Sequence, residues 1–203
     1  MPVVASVNHY QPPPASLARL GRIVRQLQVA EPVRLHFRRG PEQIFRLPGG
    51  QIYFEGPLEL DTDGSSFYRQ DPTGQRDTSL HLPGDRPVDA NRVPYFVLPC
   101  KGFCDRFGIR LGDIAAVIYG DRIEFAVFAD CGPANKLGEG SIALHRSLGH
   151  ETIRGARLRN EGLESGVITI VFPGSGIAGD PQTPQRIRTL GRALFGALSR
   201  PEI

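Results

Sequence analysis

Residues 112–149, GDIAAVIYGDRIEFAVFADCGPANKLGEGSIALHRSLG, constrain this chain more than any other stretch. Two apolar runs, 114–119 and 123–129, flank Gly120, Asp121 and Arg122. Both are short and rich in Val, Ile, Phe and Tyr, so they read as paired, buried strands. The second run stops at Asp130, and Gly132, Pro133, Gly138 and Gly140 then disfavour regular structure. Glu139 falls in that glycine-bracketed loop. Ser141 opens an apolar helix that runs to about Leu148 and is stopped by Gly149. Buried strands thus carry two carboxylates into a loop, where reactive groups usually sit.

The rest of the chain supplies more strands between two helices. Residues 11–16, QPPPAS, are stiff and extended. From Ser16, Leu17, Leu20, Ile23, Val24 and Leu27 recur at helical spacing with Arg19, Arg22 and Arg25 between them. That pattern predicts an amphipathic helix ending near Ala30, before Pro32. Strands are expected at 33–37, 43–47, 93–98 and 166–172. Two more, 52–54 and 58–60, are expected to be broken by Gly56 and Pro57. A second amphipathic helix closes the chain, with Thr183 as cap and Pro184 at its first position. Its apolar stripe is Ile187, Leu190, Leu194, Phe195 and Leu198. Strands fill the middle without βα alternation, so a barrel or sandwich is expected rather than a doubly wound sheet.

Charge narrows the partners. The net +3 hides a split: seven Arg face two Glu in residues 1–50, and four Arg face one Glu in 181–203. Residues 51–180 carry thirteen Lys or Arg against eighteen Asp or Glu. An acidic centre suits a cationic partner and argues against binding a phosphate backbone, so no nucleic acid is expected. No run of about 18 apolar residues predicts a membrane span. The start, MPVVASVNHYQPPPAS, lacks the basic, apolar and small-residue pattern of a secretory leader. Cys100, Cys104 and Cys131 allow a Cys100–Cys104 disulfide or three free thiols. A metal site with His145 or His150 is disfavoured, because the cysteine spacing is no zinc signature.

Five carboxylates lie beside apolar runs or glycine turns: Asp61, Asp63, Asp113, Asp130 and Glu139. Glycosidic cleavage needs one carboxyl to protonate the leaving oxygen and a second to activate water or attack carbon. Asp130 at a strand end and Glu139 on the following loop are the candidate pair. Asp61-Thr62-Asp63-Gly64 faintly suggests a calcium loop, but position 12 is Pro72 rather than Glu. No nucleophile elbow, phosphate loop or dinucleotide fingerprint occurs, so no cofactor or metal is expected.

Six segments stand in the order seen in the family 75 glycoside hydrolases, the fungal-type chitosanases and their bacterial relatives. They are YFEGPLELDTDG (53–64), DPTGQRDTSL (71–80), VDANRVPYFVLP (88–99), GDIAAVIYGD (112–121), FADCGPANKLGEGSIAL (128–144) and GVITIVFPGSG (166–176). The chain resembles that family over about residues 51–176. The resemblance implies a mainly β fold, a compact six-stranded barrel of the double-psi type with peripheral helices at both ends of the chain. It also implies endo-hydrolysis of β-1,4-linked glucosamine polymer with inversion, by one Asp and one Glu that fall on Asp130 and Glu139. Residues 1–40 are then a basic arm, and 41–203 a catalytic domain that includes the closing helix.

The expected partner is chitosan, a cationic amino-sugar polysaccharide, and the expected state a monomer. Glu has the slightly higher reference pKa, which makes Glu139 the acid and Asp130 the base. The helix dipole at Ser141 argues the other way. Asp61, Asp63 and Asp113 are the expected subsite carboxylates for sugar ammonium groups, with Tyr95 or Tyr119 as stacking candidates. Such a substrate implies secretion, although the leader pattern is missing. The competing expectations are a hydrolase of another amino-sugar cell-wall glycan and a non-catalytic glycan-binding barrel.

Overall fold

A computed structural model describes residues 21, 23, 25–41, 43–177, 180 and 182–198. Six strands close a mixed barrel: β3 (Ile52–Asp61), β12 (Leu163–Phe172), β7 (Ile114–Tyr119), β8 (Arg122–Gly132), β6 (Tyr95–Pro99) and β9 (Glu139–Ser141). The last of these pairs back onto β3. The β8–β6 and β9–β3 pairs are parallel, and the other four are antiparallel. Two short strands, β1 (Glu31–Val33) and β2 (Ile44–Arg46), extend the sheet beside the first half of β3. Small hairpins β4–β5 (His81–Leu82, Arg86–Pro87) and β10–β11 (Ile153–Arg154, Arg157–Leu158) pair only with themselves.

Alternation along the strands builds two apolar layers. On β8, Phe125 and Val127 join one cluster, while Ala126 and Phe128 join the other. The helix Pro184–Ala197 lays Ile187 and Phe195 on the first, with the Phe125 and Phe195 rings 6.2 Å apart. A side chain at Gly191 would collide with Phe125, so the helix approaches closely only because that residue is Gly. A six-stranded barrel is too narrow to enclose a helix of this length, so the cluster it covers is the outer one. Phe54, Phe96, Val117, Phe128 and Val171 therefore fill the interior. The helix starts as its sequence predicts, with the Thr183 hydroxyl accepting from the Arg186 N–H at 3.2 Å and Pro184 at the first position.

Several local expectations change. Gly56 and Pro57 do not break β3, because β12 shifts register between Leu163 and Val167, where Pro57 would otherwise owe it a hydrogen bond. The strand expected at 33–37 is only Glu31–Val33. The strand expected to stop before Asp130 continues to Gly132, and Glu139 opens β9 rather than lying in a loop. Residues 11–16 and Leu17, Leu20 and Val24 of the first helix lie outside the described residues. Ile23 is buried, and Leu27 packs on the outer cluster.

The disulfide joins Cys100 to Cys131, with Cα atoms 5.2 Å apart, and not to Cys104. The parallel β6–β8 ladder sets Leu98 beside Cys131, so Cys100, two residues further along, meets a partner that is distant in sequence. Cys104 is free and buried; burial first, then the charges of Asp105 and Asp113, pushes its thiol up to about 12.

Candidate active site

Strand register assembles the two candidate catalytic carboxylates. Val97 on β6 is paired with Asp130 on one side and with Glu139 on the other. Paired residues project on the same face, so Asp130, Val97 and Glu139 form one row across three strands. Two strand spacings separate the outer backbones, about 9.5 Å. The row depends on a bulge: Phe96 pairs with Phe128, but Val97 pairs with Asp130, leaving Ala129 unmatched. Simple alternation after Ala126 and Phe128 would turn Asp130 into the barrel interior. The extra residue turns it outward, a common device beside active sites. Gly132 completes the row's end, since a Cβ there would lie 2.9 Å from both Glu139 Oε2 and Val97 Cγ1.

Asp130 is 8% exposed and tightly held. Its Oδ1 accepts from the Ser79 N–H at 2.8 Å, the Ser79 hydroxyl at 2.6 Å and the Cys131 N–H at 2.9 Å. Such convergence on one oxygen suits a charged acceptor. Asp61 and Asp63, from the end of β3, bring carboxylate oxygens within 4.8 Å of each other and of Asp130. Asp61 Oδ1 accepts from the Tyr95 hydroxyl at 2.6 Å and the Asp63 N–H at 2.8 Å. Asp63 Oδ1 accepts from the Gln75 N–H at 2.6 Å. Burial is the main cause that raises Asp61 to about 6, against the bonds from Tyr95 and Asp63. Burial, then the Asp61 charge, raises Asp63 to about 8.

Glu139 faces a different environment. It pairs directly with Glu59 across the parallel β3–β9 ladder, a like-charge juxtaposition that is unfavourable alone. Lys136 relieves it, with Nζ 2.6 Å from Glu139 Oε1 and 2.7 Å from Glu59 Oε2. The lysine loop is pinned by the Leu137 N–H to the Arg39 carbonyl and by the Arg38 N–H to the Asn135 carbonyl. Burial raises the pKa of Glu139 and outweighs Lys136, which lowers it. One carboxylate therefore sits among hydrogen-bond donors, and the other keeps a proton more readily than a free Glu. The arrangement can both activate water and protonate a leaving oxygen.

Asp61, Asp63, Asp130, Lys136 and Glu139 line one cavity of about 150 Å³. It shares Leu60, Asp71, Thr73 and Lys136 with an adjoining space of about 360 Å³ that reaches Arg39 and Asn160. A larger cavity, about 690 Å³ beside Phe45 and Tyr53, contains neither Asp130 nor Glu139. Asp113 does not come to the cleft. It is 1% exposed, and its carboxylate accepts the N–H groups of Arg110, Gly174 and Gly176, which fasten two loops. Tyr95 is 0% exposed, so it supports Asp61 instead of stacking on a sugar; Tyr119 lies at the β7–β8 hairpin. Sequence reasoning missed Ser79, Glu59 and Lys136. The Lys136-to-Glu139 spacing was a readable pairing, whereas nothing around Ser79 singles it out.

Two expected results follow from these contacts. Ser79→Ala removes the hydroxyl bond to Asp130 but keeps the backbone bond, and should lower kcat about tenfold with KM within twofold. Thr at the same position should restore most of the rate; an equal loss in the Thr variant would argue against the hydroxyl bond. The second concerns stability. Asp61 and Asp63 hold protons in the folded state that the unfolded chain releases near pH 4, so their contribution is full below pH 4 and is lost as pH rises through about 6 and 8. Asp63→Asn should match the wild type in Tm at pH 4 and exceed it by roughly 5 °C at pH 8. A Tm difference independent of pH would contradict this.

The family profile for fungal chitosanase of glycosyl hydrolase group 75 matches residues 58–188, nearly two thirds of the chain. That span contains the whole row of Asp130, Val97 and Glu139 and the Asp61–Asp63 turn. A comparison with curated proteins finds no match.

Proposed function

Because the chain belongs to the fungal chitosanase family of glycosyl hydrolase group 75, we propose that it cleaves internal β-1,4-glucosamine linkages of chitosan with inversion. Asp130 acts as base and Glu139 as acid. The observation that carries this reading is the Asp130–Val97–Glu139 row. One strand lies between the two acids, and an inverting pair needs its carboxyls far enough apart to admit a water. Glu139 gives a proton to the leaving oxygen while Asp130 takes one from the water that attacks the opposite face of the sugar. The cluster of Asp61, Asp63 and Asp130 keeps net negative charge even with a proton on Asp63, and this favours protonated glucosamine. Asp113, engaged by three backbone N–H groups, has no part in it.

A second reading draws on the adjoining space, where Arg39 and Asn160, beside Glu59 and Asp71, offer donors to an acetamido carbonyl. That is the surface expected of a hydrolase acting on another amino-sugar cell-wall glycan. Reducing-end release from chitosan, chitin and peptidoglycan, with Asp130→Asn as control, separates the possibilities. Release from chitosan that declines with N-acetylation supports the first reading. Release from peptidoglycan alone supports the second, and binding without release a non-catalytic module.

A further inference from the structure

We infer that Asp63 and Asp130 act as one carboxylic acid–carboxylate pair sharing a single proton, with Asp63 the positioning residue that holds Asp130 for its work as base. The inference rests on the reading of Asp130 as the base. Three carboxylate oxygens within 4.8 Å of one another, on residues 5–8% exposed, cannot all carry full charge without compensation. Asp130 is compensated by three donors and Asp61 by two. Among the described residues Asp63 has one, the Gln75 N–H on Oδ1, and its carboxylate oxygen lies within 4.8 Å of one of Asp130. Lys136, the lysine that lines the cleft, bonds Glu139 and Glu59 instead. The partner that Asp63 needs is a proton, and Asp130 is the acceptor beside it.

The backbone around Asp63 is built to keep this contact. The Tyr95 hydroxyl lies 2.6 Å from Asp61 Oδ1 and 3.2 Å from the Asp63 carbonyl, so a buried phenol fixes both residues of the turn. Groups facing the pair are Asp61 from β3, Tyr95 from β6, Glu139 from β9, Lys136 from the loop before it and Asp71 from the next turn. In the reaction Asp130 takes a proton from water as the water oxygen bonds to the anomeric carbon, and Glu139 gives its proton to the departing sugar oxygen. The pair then holds two protons; it releases one to solvent, and Glu139 regains one, so the net change is addition of water. Asp63 acts through Asp130, and its influence shows in kcat and pH dependence. A carboxylate that merely attracts an ammonium group would show in KM.

The test uses the full chain with 13C-labelled aspartate carboxyls, followed by NMR titration of wild type, Asp63→Asn and Asp130→Asn. Two wild-type carboxyl signals should each titrate in two shared steps, and either substitution should reduce the survivor to one step. Asp63→Asn keeps a donor toward Asp130 and should lower kcat about tenfold with KM within twofold, while Asp63→Ala should lower kcat at least a hundredfold. Independent single-step titrations would overturn the pair, as would an Asp63→Asn defect confined to KM. Shared titration in a protein that releases nothing from chitosan would uphold the pair and sink the reading of the reaction on which its role depends. The Asn variant is expected to fold, and its Tm checks that a lost rate is not lost structure.

Discussion

Glu139→Gln is expected to lower kcat/KM on chitosan by roughly a thousandfold, and Asp130→Asn by a similar factor. The amide at 139 keeps the shape of the side chain and can still accept from Lys136, so the row with Val97 should remain intact. What it loses is the proton for the leaving oxygen. Burial raises the pKa of Glu139 despite the adjacent ammonium group, which suits a residue that must hold a proton before the sugar arrives. Residual activity of Glu139→Gln should therefore lack the basic limb of the pH–rate profile. An oligomer with an activated aryl leaving group needs little acid assistance and should recover much of the lost rate in Glu139→Gln but not in Asp130→Asn. The reverse pattern would exchange the two roles. Retention of more than a tenth of the wild-type rate by either variant would remove that residue from the chemistry.

Loss of the Cys100–Cys131 bond is the second large effect. It closes a loop with a sequence separation of 31, and releasing it should cost about 3–4 kcal/mol, a fall in Tm of roughly 10 °C. Cys131→Ser or mild reduction provides the measurement. The bond also ties the ends of β6 and β8 next to Asp130. Ladder pairs from Tyr95–Val127 to Pro99–Gly132 remain without it, so kcat at 25 °C should fall by no more than about tenfold. Thiol titration of the native protein should find no reactive group, because Cys104 is buried with its thiol pushed up to about 12. An unchanged Tm after reduction would mean that the bond does not constrain the unfolded chain as its loop length requires.

Local pattern carried some of this molecule and non-local pairing hid the rest. The strands around Gly120, the Thr183–Pro184 helix start and the strand-rich middle follow from periodicity and caps, which act over a few residues. Residue pattern singled out Asp130 and Glu139 as a candidate pair, but as a strand end and a loop whose spacing does not make them face each other. Their alignment through Val97 depends on a bulge at Ala129 and on β9 closing the barrel, neither of which has a local signature. Cys100 finds Cys131 because β6 and β8 run parallel, whereas spacing alone left a Cys100–Cys104 bond and three free thiols open. Asp113 looked like Asp61 in sequence, a carboxylate beside an apolar run. Backbone donors from the Gly174–Gly176 turn engage it, and that turn is distant along the chain. Tyr95 reads more readily as core than as a stacking surface, and only the fold shows that Asp61 accepts from its hydroxyl.

Proton NMR of the anomeric signals during hydrolysis of a glucosamine oligomer bears most directly on the proposed reaction. In the proposed mechanism a water held between the base and the sugar attacks the face opposite the leaving group, which inverts the anomeric carbon. The α-anomer of the new reducing end should appear first, with the β-anomer growing in only as the sugar mutarotates. A β-anomer formed first, or no hydrolysis by a folded protein that has lost none of its cleft residues, would contradict the account.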